Sequence, residues 1–111
     1  MQINNSEPIQ RPYLLLSLQR AMLGNVFPML RGISVTWDHQ AVQIYVYIDG
    51  ELTSDDEESI WEIETEVMAD FLEPVMVSSE VVRQDSPRPL PNVANCVWVY
   101  RRKEVSVQQV D

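Results

Sequence analysis

The sequence predicts an α+β fold: a two-layer sandwich with two helices on one face of an antiparallel four-stranded sheet, the elements running α-β-β-α-β-β. Two segments, YLLLSLQRAML and TSDDEESIWEIETEVMADFLE, repeat apolar residues at helical spacing. Four others, starting LRGISVTWD, AVQIYVYID, VMVSSEVVRQD and NCVWVYRRK, alternate or concentrate β-formers in runs of strand length. Helices and strands that are each apolar on one side bury those sides against one another, which gives two layers. With 111 residues the chain is expected to make a single domain, 1–111, with a loose arm over 1–11 and a frayed tail over 104–111.

Pro12 suits the first turn of a helix, where its missing N–H costs nothing. From there Leu14, Leu18 and Met22 fall on one stripe with Leu15 beside it, and Gly24 offers a left-handed stop. In the first strand Ile33, Val35 and Trp37 alternate with Gly32, Ser34 and Thr36, and His39 and Gln40 turn it. The second sets Val42, Ile44, Val46 and Ile48 opposite Gln43, Tyr45, Tyr47 and Asp49, so the pair reads as a hairpin. Pro74 ends the second helix. Pro87, Pro89 and Pro91 then define an extended surface loop between the third and fourth strands. In the fourth strand Cys96, Trp98 and Tyr100 face one way and Val97, Val99 and Arg101 the other, with the core side undetermined.

The second helix is the dominant feature of the chain. Ser54 and Glu57 have the spacing of a capping box, and Asp55 and Asp56 add negative charge where the helix dipole favours it. Ile60, Ile63, Val67, Met68 and Phe71 form an apolar arc, with Trp61 and Leu72 at its edge. Opposite lie Asp55, Glu58, Glu62, Glu66 and Asp70, the last four spaced four apart. Like charges at that spacing repel by roughly 0.2–0.5 kcal/mol per pair. From Asp49 to Glu73 there are eleven carboxylates and no Lys or Arg. Such a face either keeps the protein soluble or awaits a basic partner. Glu64 falls inside the apolar arc and calls for a partner, Arg31 or Arg20 being the candidates, because an unpaired buried charge is costly.

Composition excludes several function classes. The net charge of −9 opposes direct binding to nucleic acid or to anionic membranes and favours a cationic protein. No apolar run approaches membrane-spanning length and the N-terminus lacks a signal-peptide pattern, so the expected location is the cytoplasm. One cysteine, Cys96, and one histidine, His39, form neither a disulfide nor a convincing zinc site, and no metal or other cofactor is expected. There is no phosphate loop or nucleophile motif, and the calcium-loop spacing is missing. An enzyme is not expected; its only acid-base pair would be Glu64 with His39. Both helices are expected on one sheet face, which leaves Tyr45 and Tyr47, with Trp98 and Tyr100 as further candidates, on a face open to water. There they serve either a partner or cross-strand pairing.

The segments LLLSLQRAMLGNV, LRGISVTWD, YIDGE, EIETEVMADF and WVYRRKE together resemble small bacterial immunity proteins of contact-dependent growth inhibition and related polymorphic toxin systems, over roughly Pro12 to Glu104. The resemblance implies a non-enzymatic cytoplasmic inhibitor that binds the C-terminal domain of a cognate toxin, often a nuclease with a basic cleft. It assigns no contact residues. Those come from charge and exposure: Asp55, Glu58, Glu62, Glu66 and Asp70 for the charge, with Tyr45, Tyr47 or Trp61 as anchors. A generic acidic adaptor that binds several partners is the alternative.

Overall fold

Proline at the start and glycine beyond the end bracket helix α1, Arg11–Met22, in a computed structural model that describes residues 9–72 and 74–105. Gly24 adopts φ +79°, the left-handed stop that glycine takes without strain. Leu14, Leu18, Ala21 and Met22 are buried. Each fully buried Leu contributes about 1.5–3 kcal/mol. The chain continues through β1 (Leu30–Trp37), β2 (Ala41–Ile48), α2 (Ser54–Ala69), β3 (Met76–Arg83) and β4 (Val97–Arg101). Between β1 and β2 the Asp38 carboxylate accepts the N–H groups of Gln40 and Ala41, both at 2.9 Å, and so fixes the turn.

The sheet has the order β3-β2-β1-β4 and is mixed, which corrects the antiparallel expectation. β1 pairs antiparallel with β2 and with β4, but β2 and β3 run parallel from Ala41↔Met76 to Ile48↔Arg83. The cause is the connection. A hairpin reverses a strand, whereas a helix laid back along the sheet returns the chain in the same direction, so β2-α2-β3 is a crossover unit. A strand, a helix and a strand in succession carried that signal.

One face of the sheet meets both helices. Ile33 and Val35 from β1, Val42, Ile44 and Val46 from β2, and Val77 from β3 join Leu14 and Leu18 of α1, Ile60, Ile63 and Val67 of α2, and Phe71 just beyond it in one core. Two bulges break the alternation. The register slips between Leu30 and Gly32 on β1, and again on β4, where Ile33 pairs with Tyr100 but Ser34 pairs with Trp98. An extra residue in one strand resets which way the following side chains point. Tyr100 therefore packs on the core while Trp98 lies on the other face, so the two do not share a side.

Part of that other face, around Tyr47, is covered where open solvent was expected, while Ser78 and Glu80 on it stay exposed. The proline loop folds back over it: Gln84 donates to the Pro89 carbonyl at 3.3 Å and Trp98 donates to Asn92 at 3.5 Å. A Cβ on Gly32 would stand 2.9 Å from the Trp98 ring and 3.0 Å from Leu90. Beneath them Tyr47 is only 2% exposed, its ring 5.4 Å from that of Trp98. The Arg101 guanidinium also lies over the Trp98 ring, 5.0 Å from its centroid.

Both ends of the chain are tied further than expected. Ile9 is buried in the core, so the loose arm does not extend to residue 11. Glu104, placed in the frayed tail, accepts two bonds from the Arg31 guanidinium at 2.7 and 2.8 Å. The remainder of those two segments, 1–8 and 106–111, lies outside the described residues. Arg102 extends the network, binding Glu104 at 2.9 Å, Asp49 at 3.0 Å and the Pro28 carbonyl at 2.8 Å.

Candidate functional site

Helix α2 begins on a cap one residue earlier than the capping-box spacing suggested. Thr53 is the N-cap, its hydroxyl accepting the Asp56 N–H at 3.1 Å, and Ser54 is the first helical residue. Asp55, Asp56 and Glu57 occupy the first turn, where they complement the dipole. Ile60, Ile63 and Val67 turn inward. Met68, Trp61 and Leu72 do not: they stay exposed, Trp61 by 64%. The apolar arc is thus split into a buried half over the sheet and an exposed half along one flank.

Glu64 sits between those halves. Its carboxylate accepts the hydroxyl of Ser79 on β3, so its partner is neither Arg31 nor Arg20. Arg31 is buried at the far end of the sheet with Glu104, and their mutual hydrogen bonds raise the pKa of the guanidinium. The same bonds, backed by Arg102, hold the Glu104 carboxyl down at about 2 against the 4.5 of a free glutamate. Nothing in the sequence marked this pair, whose members are 73 residues apart.

The opposite flank of α2 faces α1. Ser17 donates to Asp70 at 2.5 Å and Arg20 approaches the same carboxylate to 3.8 Å. A groove of about 380 Å³ opens there, lined by Arg20, Glu66 and Asp70 among others, so positive charge partly offsets that end of the acid row. Asp55, Glu58 and Glu62 point away from both flanks. They are exposed and, like Glu66, make no ion pair among the described residues. The structure therefore brings Asp55, Glu58, Glu62 and Glu66 onto one acidic surface, partly offset at its Glu66 end by Arg20, with Trp61 on its margin. It does not bring Tyr45 or Tyr47 to it. Both belong to the far face of the sheet, Tyr47 buried under Trp98 and Tyr45 half-buried beside Ser34. The loop that buries Tyr47 left no periodic signal in the sequence.

The chemistry-bearing residues are dispersed. His39 is exposed in the β1-β2 turn, Cys96 is half-buried before β4, and Glu64 is on the side of α2 that faces β3. Among the described residues no three His, Cys, Asp or Glu side chains converge as a metal would require, and no helix is long and apolar enough to cross a membrane.

Fold and surface define a class: a small α+β domain distinguished by a charged helical face beside a mixed sheet. Within that class its family follows from the sequence. The chain belongs to the MafI2 immunity protein family, whose model matches residues 11–104. A comparison with curated proteins finds no match. The matched span runs from the first residue of α1 to Glu104, and so takes in all six elements and the carboxylate that holds Arg31.

Proposed function

We propose that this immunity protein protects the cytoplasm by binding a nucleic-acid-cleaving toxin domain of contact-dependent growth inhibition, and that the outer face of α2 supplies the charge for that contact. The observation that carries the reading is the surface of Asp55, Glu58, Glu62 and Glu66, exposed on a regular helix and without ion-pair partners among the described residues. A cleft that grips phosphates must be lined with Lys and Arg. Carboxylates displayed at intervals of one helical turn suit such a cleft, and the net charge of −9 speeds encounter by long-range attraction. Trp61, large and exposed at the margin, is the natural anchor. Asp70 contributes less because Ser17 and Arg20 already engage it. Tyr45, on the opposite face, would meet the toxin only if the toxin wrapped around the sheet. No catalytic role is assigned to any residue; inhibition follows from occupancy alone.

The test is a double charge reversal, Glu62→Lys with Glu66→Lys, assayed by calorimetric titration against the cognate toxin domain. Binding should weaken by tenfold or more at moderate salt, while the unfolding midpoint stays level or rises because two repulsive spacings become attractive. Undiminished binding with an intact fold would remove α2 from the contact. Several weak partners of similar affinity would instead identify a general acidic adaptor.

A further inference from the structure

The two edges of the sheet are built differently. β4 has five residues, a bulge at Val99, and Arg101, Arg102 and Lys103 at its end. Short length, a bulge and positive charge are how natural edges avoid pairing with other chains. β3 is less protected, its one positive charge being Arg83 at its end, which is held in an ion pair with Asp85. It runs eight residues, MVSSEVVR, pairs with β2 without a register shift, and contains no proline or lysine. Among the described residues nothing pairs with its outer side.

Its free hydrogen-bonding groups can be identified. Met76 donates to the Gln40 carbonyl and Gln84 to the Ile48 carbonyl, so the even-numbered residues of β3 bond to β2. In a parallel pair the alternate residues point their N–H and C=O away. Val77, Ser79, Val81 and Arg83 therefore present a row of free donors and acceptors.

The exposed half of α2 lies along that row. Glu64 reaches Ser79, which fixes α2 against β3. From Glu64, Met68 and Trp61 lie about 40° and 60° further round the helix, on the flank beyond the strand. Trp61 stands about 4.5 Å from Glu64 along the helix axis, and Val81 about 7 Å from Ser79 along the strand, so the two are level. Val81 is itself 40% exposed although it points to the helix side of the sheet. On the other side of the same edge stands Glu80.

We infer that the β3 edge receives an extended strand of the toxin, with apolar side chains toward Trp61 and Met68 and basic ones toward Glu80. This rests on the toxin-binding reading and adds to it a second, backbone-directed contact. The charge decides between occupants: a second copy of this chain brings a further −9, whereas a basic segment is attracted. Addition of a strand supplies affinity from main-chain bonds and specificity from alternate side chains.

Amide hydrogen exchange followed by NMR tests it, on the protein alone and with the cognate toxin domain. In the free protein the amides of Val77, Ser79, Val81 and Arg83 should exchange rapidly while those of Ser78, Glu80 and Val82 are protected. With toxin, the first set should slow by at least a hundredfold. Val81→Pro, which removes an outward donor and leaves the β2 ladder intact, should weaken binding by tenfold or more, as should Trp61→Ala, with unchanged circular dichroism. If toxin binds and these amides still exchange freely, the strand-addition inference fails and the toxin-binding reading stands. If no toxin binds at all, both fail. Protection already present in the free protein, with a dimeric mass in sedimentation, would assign the edge to a second copy and overturn the inference.

Discussion

Glu104 shows how much a single residue near the end of the matched span can hold. Its two bonds to the buried Arg31 guanidinium join the chain beyond β4 to the start of β1, and Arg102 carries the link on to Asp49. Because its pKa falls from 4.5 to about 2 on folding, its contribution is fully present above pH 4.5 and is lost as pH falls toward 2. That shift corresponds to at most about 3 kcal/mol, reduced by the partial exposure of the carboxylate. Urea unfolding at pH 7, 4 and 3 should therefore show Glu104→Gln destabilised at pH 7 and less sensitive to acid than the parent; parallel pH profiles would mean the pair adds nothing. Asp85, held down by Arg83 and by the Gly50 N–H, supplies part of the remaining acid sensitivity. At this scale the sequence was legible only where partners are neighbours. The turn at His39 and Gln40 and the stop at Gly24 act within a few residues, yet the Asp38 carboxylate that fixes the turn was not read and the cap fell on Thr53, one position from the expected Ser54. The partner of Glu64 could not be read, because a hydroxyl satisfies a carboxylate as well as an arginine does and leaves no charge pattern behind.

Elements were more legible than their pairing. Helical spacing located α1 and α2 within a few residues of their observed bounds, and alternation placed Val42, Ile44 and Val46 on the core face of β2. What alternation could not give was β4, where one extra residue at Val99 sends Trp98 and Tyr100 to opposite faces. Nor could it give the direction of β3, which depends on how α2 lies and not on the strand itself. The covering of the outer face depends on one small residue. Gly32 is where Trp98 and Leu90 approach the sheet, and a methyl group there would push a rigid indole off Tyr47. Gly32→Ala should cost about 1–3 kcal/mol by overpacking. Tryptophan fluorescence and near-ultraviolet circular dichroism would report the displaced ring. An unchanged midpoint and spectrum would mean that the proline loop moves aside freely and contributes little to the fold.

For the molecule as a whole, the distribution of charge matters more than its total. Arginines are bound to the ends of the sheet with Glu104, Asp49 and Asp85, while the outer face of α2 keeps its acids unpaired among the described residues. The chain belongs to the MafI2 immunity family, and under the toxin contact proposed above that asymmetry would supply the surface that meets the toxin. The acid row was visible in the sequence because it is local and periodic. The β3 edge was not, because an edge exists only once strand order is known. The most direct measurement of the central claim is a calorimetric titration of the cognate toxin domain into the intact protein across a range of salt concentrations. The dissociation constant should rise by roughly tenfold or more from low to high ionic strength, as it does when exposed carboxylates meet a basic cleft. An affinity unmoved by salt would contradict it and place the contact on an uncharged surface of the molecule.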